Sequence, residues 1–158
     1  MNRYYEYRHV VEFEETDING YVYNVNCLRW QAQCREMFLL EYVPSVLDEL
    51  RGSFELITIA AECAQLAPME ACDDLSIRMR AEHQTLTQVT LAFDYVNLSD
   101  EGESLVATGR HTVACMMGIN GTFTPVRVPE QLRIALGEFT AAPQLLAIPN
   151  CAGTGGRA

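Results

Sequence analysis

Few residues in this sequence are typed and spaced for chemistry, and most of them fall between Thr16 and Leu39, TDINGYVYNVNCLRWQAQCREMFL. A carboxylate (Asp17), a glycine three positions later (Gly20) and two asparagines (Asn24, Asn26) precede an apolar run that begins at Cys27. Either asparagine can cap a helix starting there, and the first N–H groups of a helix have no acceptor within it. Such donors lower the barrier to acyl transfer when they already point at the oxygen that becomes an anion. Gly20 permits a sharp turn that would return Asp17 towards them. Asp17 can then activate water as a general base or attack an acyl carbon itself. The simpler alternative is that Asp17 only stabilises a turn with Gly20. Tyr23 and Asn24, at the mouth of the helix, are the candidates for holding a substrate.

Arg35 is singled out by geometry. At about 100° per residue, Arg29, Gln33, Glu36 and Leu40 form a mostly polar stripe, and Arg35 lies away from it, between Phe38 and the pair Leu28 and Leu39. A guanidinium in an apolar arc needs a carboxylate, a carbonyl or a ligand to offset its desolvation. Measured from Asn26 it stands roughly 13 Å along the helix, far from the donors at the start. It is therefore expected to line or brace an acyl channel, unless a neighbouring subunit supplies it, or to be a buried Arg paired with a core carboxylate. Glu62, set among Ala60, Ala61, Cys63 and Ala64, is a candidate for binding substrate, as a second acid, or as the partner of Arg35.

The segment from Thr16 to Leu39 resembles the active-site segment of the hotdog-fold thioesterases. With CDDLSIRMR (Cys72 to Arg80), HTVACM (His111 to Met116) and TPVRVPEQLR (Thr124 to Arg133), the resemblance is nearest to the enediyne polyketide thioesterases, which release a polyene from its synthase. In hotdog thioesterases of the 4-hydroxybenzoyl-CoA type the catalytic acid stands three residues before the glycine, the place of Asp17. In the enediyne branch that place is commonly Asn, so Asp17 departs from the nearest relatives. Those relatives carry an arginine corresponding to Arg35 that is implicated in activity. The resemblance implies an α+β hotdog fold, a five-stranded antiparallel sheet wrapped around a long central helix. It implies dimers formed by joining sheets, often assembled into tetramers. It further implies hydrolysis of a polyene thioester on the phosphopantetheine arm of an acyl-carrier domain, after which a β-keto acid loses carbon dioxide. The alternatives are an acyl-CoA or aryl-CoA thioesterase, which Asp17 would suit, and a non-catalytic acyl-binding hotdog protein.

Composition narrows the field. With 158 residues, 49% of them apolar, the chain holds material for one domain and too little for two. A formal charge of −10 opposes nucleic acid and anionic membranes as partners. All eleven basic residues are Arg, which removes Schiff-base and P-loop chemistry, both of which need a lysine. An acidic carrier protein would have to dock on a local patch, for which Arg78, Arg80, Arg127 and Arg133 are candidates. The six cysteines show neither a CxxC pair nor zinc spacing, and no metal or other cofactor is expected. No GxSxG is present, against a serine α/β-hydrolase. With no apolar leader or membrane-length run, a cytoplasmic enzyme is expected.

The elements that must position these residues follow from periodicity. Tyr4 to Glu14 alternates as a strand, with Tyr5, Tyr7, His9, Val11 and Phe13 on its apolar face and His9 a packed core residue. A helix runs from Cys27 to about Tyr42, apolar around most of its circumference and so expected to be enclosed, and Pro44 ends it. Ser45 to Arg51 adds a short helical turn. Four strands follow, Glu55 to Leu66, Ser76 to Gln84, Gln88 to Leu98 and Ser104 to Gly118, with turns at Ser99 to Glu103 and at Asn120–Gly121. Pro129 to Glu138 makes a short covering helix. The domain is expected to span residues 1–139, and 140–158, rich in Pro, Gly and Ala, to be a loosely held tail.

Overall fold

Period-two alternation builds the centre of the sheet. On β3 (Asp74–Gln84) Ile77, Met79 and Ala81 are buried while Glu82 is exposed, and on β4 (Gln88–Ser99) Val89, Leu91, Phe93 and Tyr95 are buried. One face is therefore apolar and has to be covered. The computed structural model describes residues 3–140 and places these strands in an antiparallel sheet with β1 (Tyr5–Val10), β2 (Phe54–Gln65) and β5 (Gly102–Ile119), in the order β1-β3-β4-β5-β2. A short β6 (Thr122–Pro125) pairs with β5 off this path. It follows the turn at Asn120 and Gly121, whose φ values of 52° and 79° are those of a tight hairpin.

The cover is α1 (Asn24–Tyr42), which packs against β1, β2, β3 and β5. Trp30, Cys34, Phe38 and Leu39 from the helix join Ile77, Met79, Phe93 and Tyr95 from the sheet in one core. Full burial of such side chains contributes about 1.5–3 kcal/mol each. This is the hotdog arrangement, an α+β fold with a sheet curled around a long helix. The helix is not enclosed all round: Val25, Met37 and Leu40 remain exposed on its outer side. Close approach of helix to sheet depends on Gly109 of β5, where a Cβ would stand 2.1 Å from Gln31 Nε2 and 2.8 Å from the Glu62 carbonyl oxygen.

Most edges shift by one or two residues, and three departures from the periodic expectation bear on the site or the helix ends. β1 stops at Val10, because a 3-10 turn at Phe13–Glu15 follows; it turns Phe13 out to 77% exposure and Glu15 into the core. α1 starts at Asn24, three residues before the apolar run. Pro44 does more than end α1, since it occupies the first turn of α2 (Pro44–Leu50), with Val43 ending one helix and capping the next.

α3 (Glu130–Gly137) lays Leu132, Ala135 and Leu136 inward and delivers Phe139 to an aromatic cluster with Tyr5, Phe38 and Tyr42. The Phe139 carbonyl accepts from the Ala81 N–H at 2.8 Å, and Thr140 bridges to Ala81. The remainder of the expected tail and Cys151 lie outside the described residues. Cys27, Cys34 and Cys115 are buried free thiols, and burial pushes the Cys115 thiol up to about 11.

Candidate active site

Asp17 sits in a loop closed by its own backbone. Thr16 bridges to Val22, Asp17 N–H donates to the Tyr21 carbonyl at 2.7 Å, and Gly20 N–H donates to the Asp17 carbonyl at 2.9 Å. Gly20 has φ of +83°, a conformation that favours glycine. The carboxylate joins this turn through one oxygen: Oδ1 accepts from the amides of Asn19 (2.7 Å) and Tyr21 (3.2 Å), whereas Oδ2 accepts nothing from the described residues. The turn-stabilising role is therefore real, and it leaves half of the carboxylate open.

A second carboxylate, not singled out in the sequence, ties this loop to the core. Glu15 Oε1 accepts the Trp30 indole N–H at 3.0 Å; Oε2 accepts the His9 Nε2 at 2.7 Å and the Glu12 amide at 2.9 Å. Its carbonyl takes two more donors, Asn26 Nδ2 at 2.9 Å and the Tyr23 amide at 3.0 Å. Burial alone would raise the Glu15 carboxyl, but the Glu12 amide, His9 and Trp30 hold it below the usual carboxylate range. His9 is thus a hydrogen-bonding partner of Glu15 rather than only a packed ring. Glu15 lies one residue past the strand expected to end at Glu14, and it is the 3-10 turn at Phe13–Glu15 that carries its side chain into the core.

The helix tip differs from the expected cap. Neither Asn24 nor Asn26 caps α1: Tyr23 is the N-cap residue and has no side-chain hydrogen bond to the helix. Asn26 turns its amide back to Glu15, so nothing covers the first turn, and the N–H groups of Asn24 and Val25 have no acceptor among the described residues. Both residues are exposed, as is Tyr23. The result is an open pair of donors at the end of the Asp17 loop, the kind of site a developing oxyanion needs.

Arg35 is away from the wet face as expected, with its side chain 13% exposed, but its partner is not Glu62. Nε and Nη2 donate to Glu36, and Nη1 donates to Thr58 Oγ1 at 3.1 Å and to His111 Nε2 at 2.8 Å. His111, only 3% exposed, is held down to about 4 by burial and by the adjacent Arg35 charge. Its inward direction was available from β5, where His111 shares its parity with Val113 and Cys115 and follows the exposed Arg110. Glu62 is largely in solvent, with its side chain 71% exposed and 3.9 Å from Arg110, because its parity on β2 points outward; only its carbonyl reaches the core, accepting Gln31 Nε2 at 2.9 Å.

Tyr23 and Asn24 stand at the helix tip and Asp17 in the loop that leads into it, while Arg35 stands eleven residues from Asn24, about 16 Å along the axis. Of the arginines considered for docking, Arg78 pairs with Glu103, Arg80 with Asp94 and Arg133 with Glu130. Arg127 lines a cleft of about 410 Å³ with Val46, Phe54 and Met117, remote from the tip of α1. Among the described residues no group of three or more His, Cys, Asp or Glu is placed to hold a metal, and no helix is long and apolar enough to cross a membrane.

No protein-family model and no curated protein sequence matches the chain. Solved structures do. The dynemicin thioesterase, whose crystal structures describe induced-fit and allosteric effects upon polyene binding, is 36% identical with a TM-score of 0.85, over 89% of this chain and 99% of that one. A 4-hydroxybenzoyl-CoA thioesterase complexed with 4-hydroxybenzoyl-CoA shares the fold at 13% identity and a TM-score of 0.76, over 85% of this chain and 99% of that one. So does a 1,4-dihydroxy-2-naphthoyl-CoA thioesterase from Synechocystis, at 19% identity and a TM-score of 0.69, over 86% and 97%. With more than a third of positions identical across nearly the whole of the dynemicin enzyme, and with the same curled sheet and helix, the chain belongs to the hotdog-fold thioesterases and is a thioester hydrolase.

Proposed function

We propose that this enzyme releases a conjugated polyene from the phosphopantetheine arm of an acyl-carrier domain. Water adds to the thioester carbonyl carbon, the pantetheine thiol leaves, and a free carboxylic acid results; a β-keto acid so formed then loses carbon dioxide. The observation that carries the proposal is the uncapped tip of α1, where the Asn24 and Val25 amides stand open at the end of the Asp17 loop. Those amides receive the carbonyl oxygen as it gains charge, and Asp17 Oδ2 takes a proton from the attacking water while Oδ1 stays anchored to the loop. The similarity to a thioesterase described with bound polyene supports the substrate class.

A single chain does not supply the whole site. Arg35 lies about 16 Å along α1 from the open donors, beside β2, which is an edge strand with Ile59, Ala60, Ala61 and Ala64 exposed. A long edge with small apolar residues and unpaired backbone groups favours pairing with another strand. We take the partner to be a second copy joined along this seam, so that the acyl channel runs between subunits, with Arg35 bracing the chain and Tyr23 and Glu62 at its rim.

Presence of Asp17 where the enediyne relatives commonly carry Asn favours one alternative, an acyl-CoA or aryl-CoA ester as substrate. Incubating the protein with an acyl-loaded carrier domain and, separately, with the matching CoA ester separates the two. Release of a polyene product from the carrier, identified by mass spectrometry, is expected. Turnover of the CoA ester alone would support the alternative, and co-purification of an unhydrolysed chain would overturn both.

A further inference from the structure

Arg35 presents five N–H donors and no acceptor, so whatever meets it must offer a lone pair. Four of the five are placed: Nε and one Nη2 donor on Glu36, and both Nη1 donors on Thr58 Oγ1 and His111 Nε2. One Nη2 donor remains. Its direction depends on the groups that fix the rest of the planar fork, because a guanidinium held at two corners cannot swing about the third.

The holder on the sheet side is assembled from two strands. Thr58 Oγ1 lies 3.0 Å from His111 Nε2, which closes a triangle with Arg35 Nη1. A bulge between Thr58 and Ala60 changes the parity of β2, so that Thr58 sits opposite inward-facing Val113 while Ala61 sits opposite His111. Without the extra residue Thr58 and Ala61 would fall on opposite faces. The charged groups that bear on His111 are Arg35 and Glu36, both from α1; β2 brings Thr58 and β4 brings Phe93.

We propose that His111 is the positioning residue of Arg35: as the neutral Nδ1–H tautomer it accepts the guanidinium through Nε2 and aims the one unplaced Nη2 donor into the acyl channel, where an oxygen of the acyl group can accept it. A neutral imidazole has a single lone pair, and with that pair at Nε2 the proton is at Nδ1. Among the described residues His111 Nδ1 is buried without a partner, so the tautomer is selected at Nε2, where Arg35 Nη1 can only donate and the Thr58 hydroxyl can donate as well. A second proton on the ring would remove the acceptor and set a cation against Arg35. Burial and Arg35 both oppose that proton, which keeps the acceptor in place through the neutral range. His111 touches no reacting atom in this scheme, which rests on the role proposed for Arg35 above.

Two measurements test it. In side-chain nitrogen NMR of the full-length protein, with His111 assigned from the spectrum that His111→Asn lacks, we expect His111 to be the pure Nδ1–H tautomer at pH 7. In Arg35→Met it should give way to Nε2–H or a mixture. A His111 found as Nε2–H in the wild type, or a tautomer indifferent to Arg35→Met, overturns the proposal even if variants at position 111 do not fold. In turnover of an acyl thioester, His111→Phe should lose about tenfold or more in kcat, the scale of one charge-assisted hydrogen bond, with KM little changed. His111→Gln, whose amide oxygen can replace Nε2, should recover most of that loss. Equal activity of the Phe and Gln variants would also overturn it. Full activity of Arg35→Met beside the expected NMR result would instead strike at the role given to Arg35 and leave the positioning intact.

Discussion

The indole N–H of Trp30 donates to the buried Glu15 carboxylate at 3.0 Å, and this contact joins the second turn of the central helix to the loop that carries Asp17. The same carboxylate holds His9 of β1, so sheet, loop and helix share one anchor two residues from the open acid.

Removal of the anchor should therefore cost stability and activity together. Glu15→Gln keeps the shape but has a single oxygen for these donors, so its NH2 must face either the Trp30 indole N–H or the His9 and Glu12 side, and it should destabilise by roughly 2–3 kcal/mol, the cost of spoiling buried charge-assisted hydrogen bonds. Urea unfolding measures the first effect and thioester turnover the second. A variant as stable and as active as wild type would mean that the loop is held by its backbone alone.

Gly109 should tolerate no side chain. In Gly109→Ala the new Cβ meets the Glu62 carbonyl and the Gln31 amide, so overpacking of about 1–3 kcal/mol is expected. Gln31→Ala clears one of the two obstacles, and thermal melts of the single and double variants should show partial rescue. Strict additivity would contradict the contact.

Acid should weaken the fold through His111. Its folded value of about 4 lies below the unfolded value near 6.5, so the unfolded chain binds the proton first and stability falls as pH drops through this window. A shift of that size amounts to on the order of 3 kcal/mol. The Glu15 contribution has the same sign at lower pH: it is present above the unfolded carboxylate value and lost as pH falls through the depressed one. Chemical unfolding of wild type and His111→Gln between pH 4 and 6.5 should show a shallower slope in the variant; parallel curves would place the titration elsewhere.

Much of the fold was legible because alternation on β3 and β4 and the Asn120–Gly121 turn are local signals that packing does not override. The start of α1 was not, since Asn24 and Asn26 look like caps and instead one opens the helix and the other reaches back to Glu15. Phe13 was misassigned to the inner face because the 3-10 turn ends the alternation after Val11. The Asp17 loop was readable from one stretch of chain. The partners of Arg35 were not, because Thr58 and His111 come from strands more than twenty and seventy residues away, joined only by the register of β2 with β5.

The most direct test concerns Asp17 itself. Asn at this position keeps an oxygen for the Asn19 and Tyr21 amides, so Asp17→Asn should leave the loop and the melting temperature close to wild type. Single-turnover hydrolysis of an acyl thioester should nevertheless fall by about a hundredfold or more, the scale of a lost general base. An Asp17→Asn enzyme that folds normally and hydrolyses at the wild-type rate would contradict the proposed chemistry.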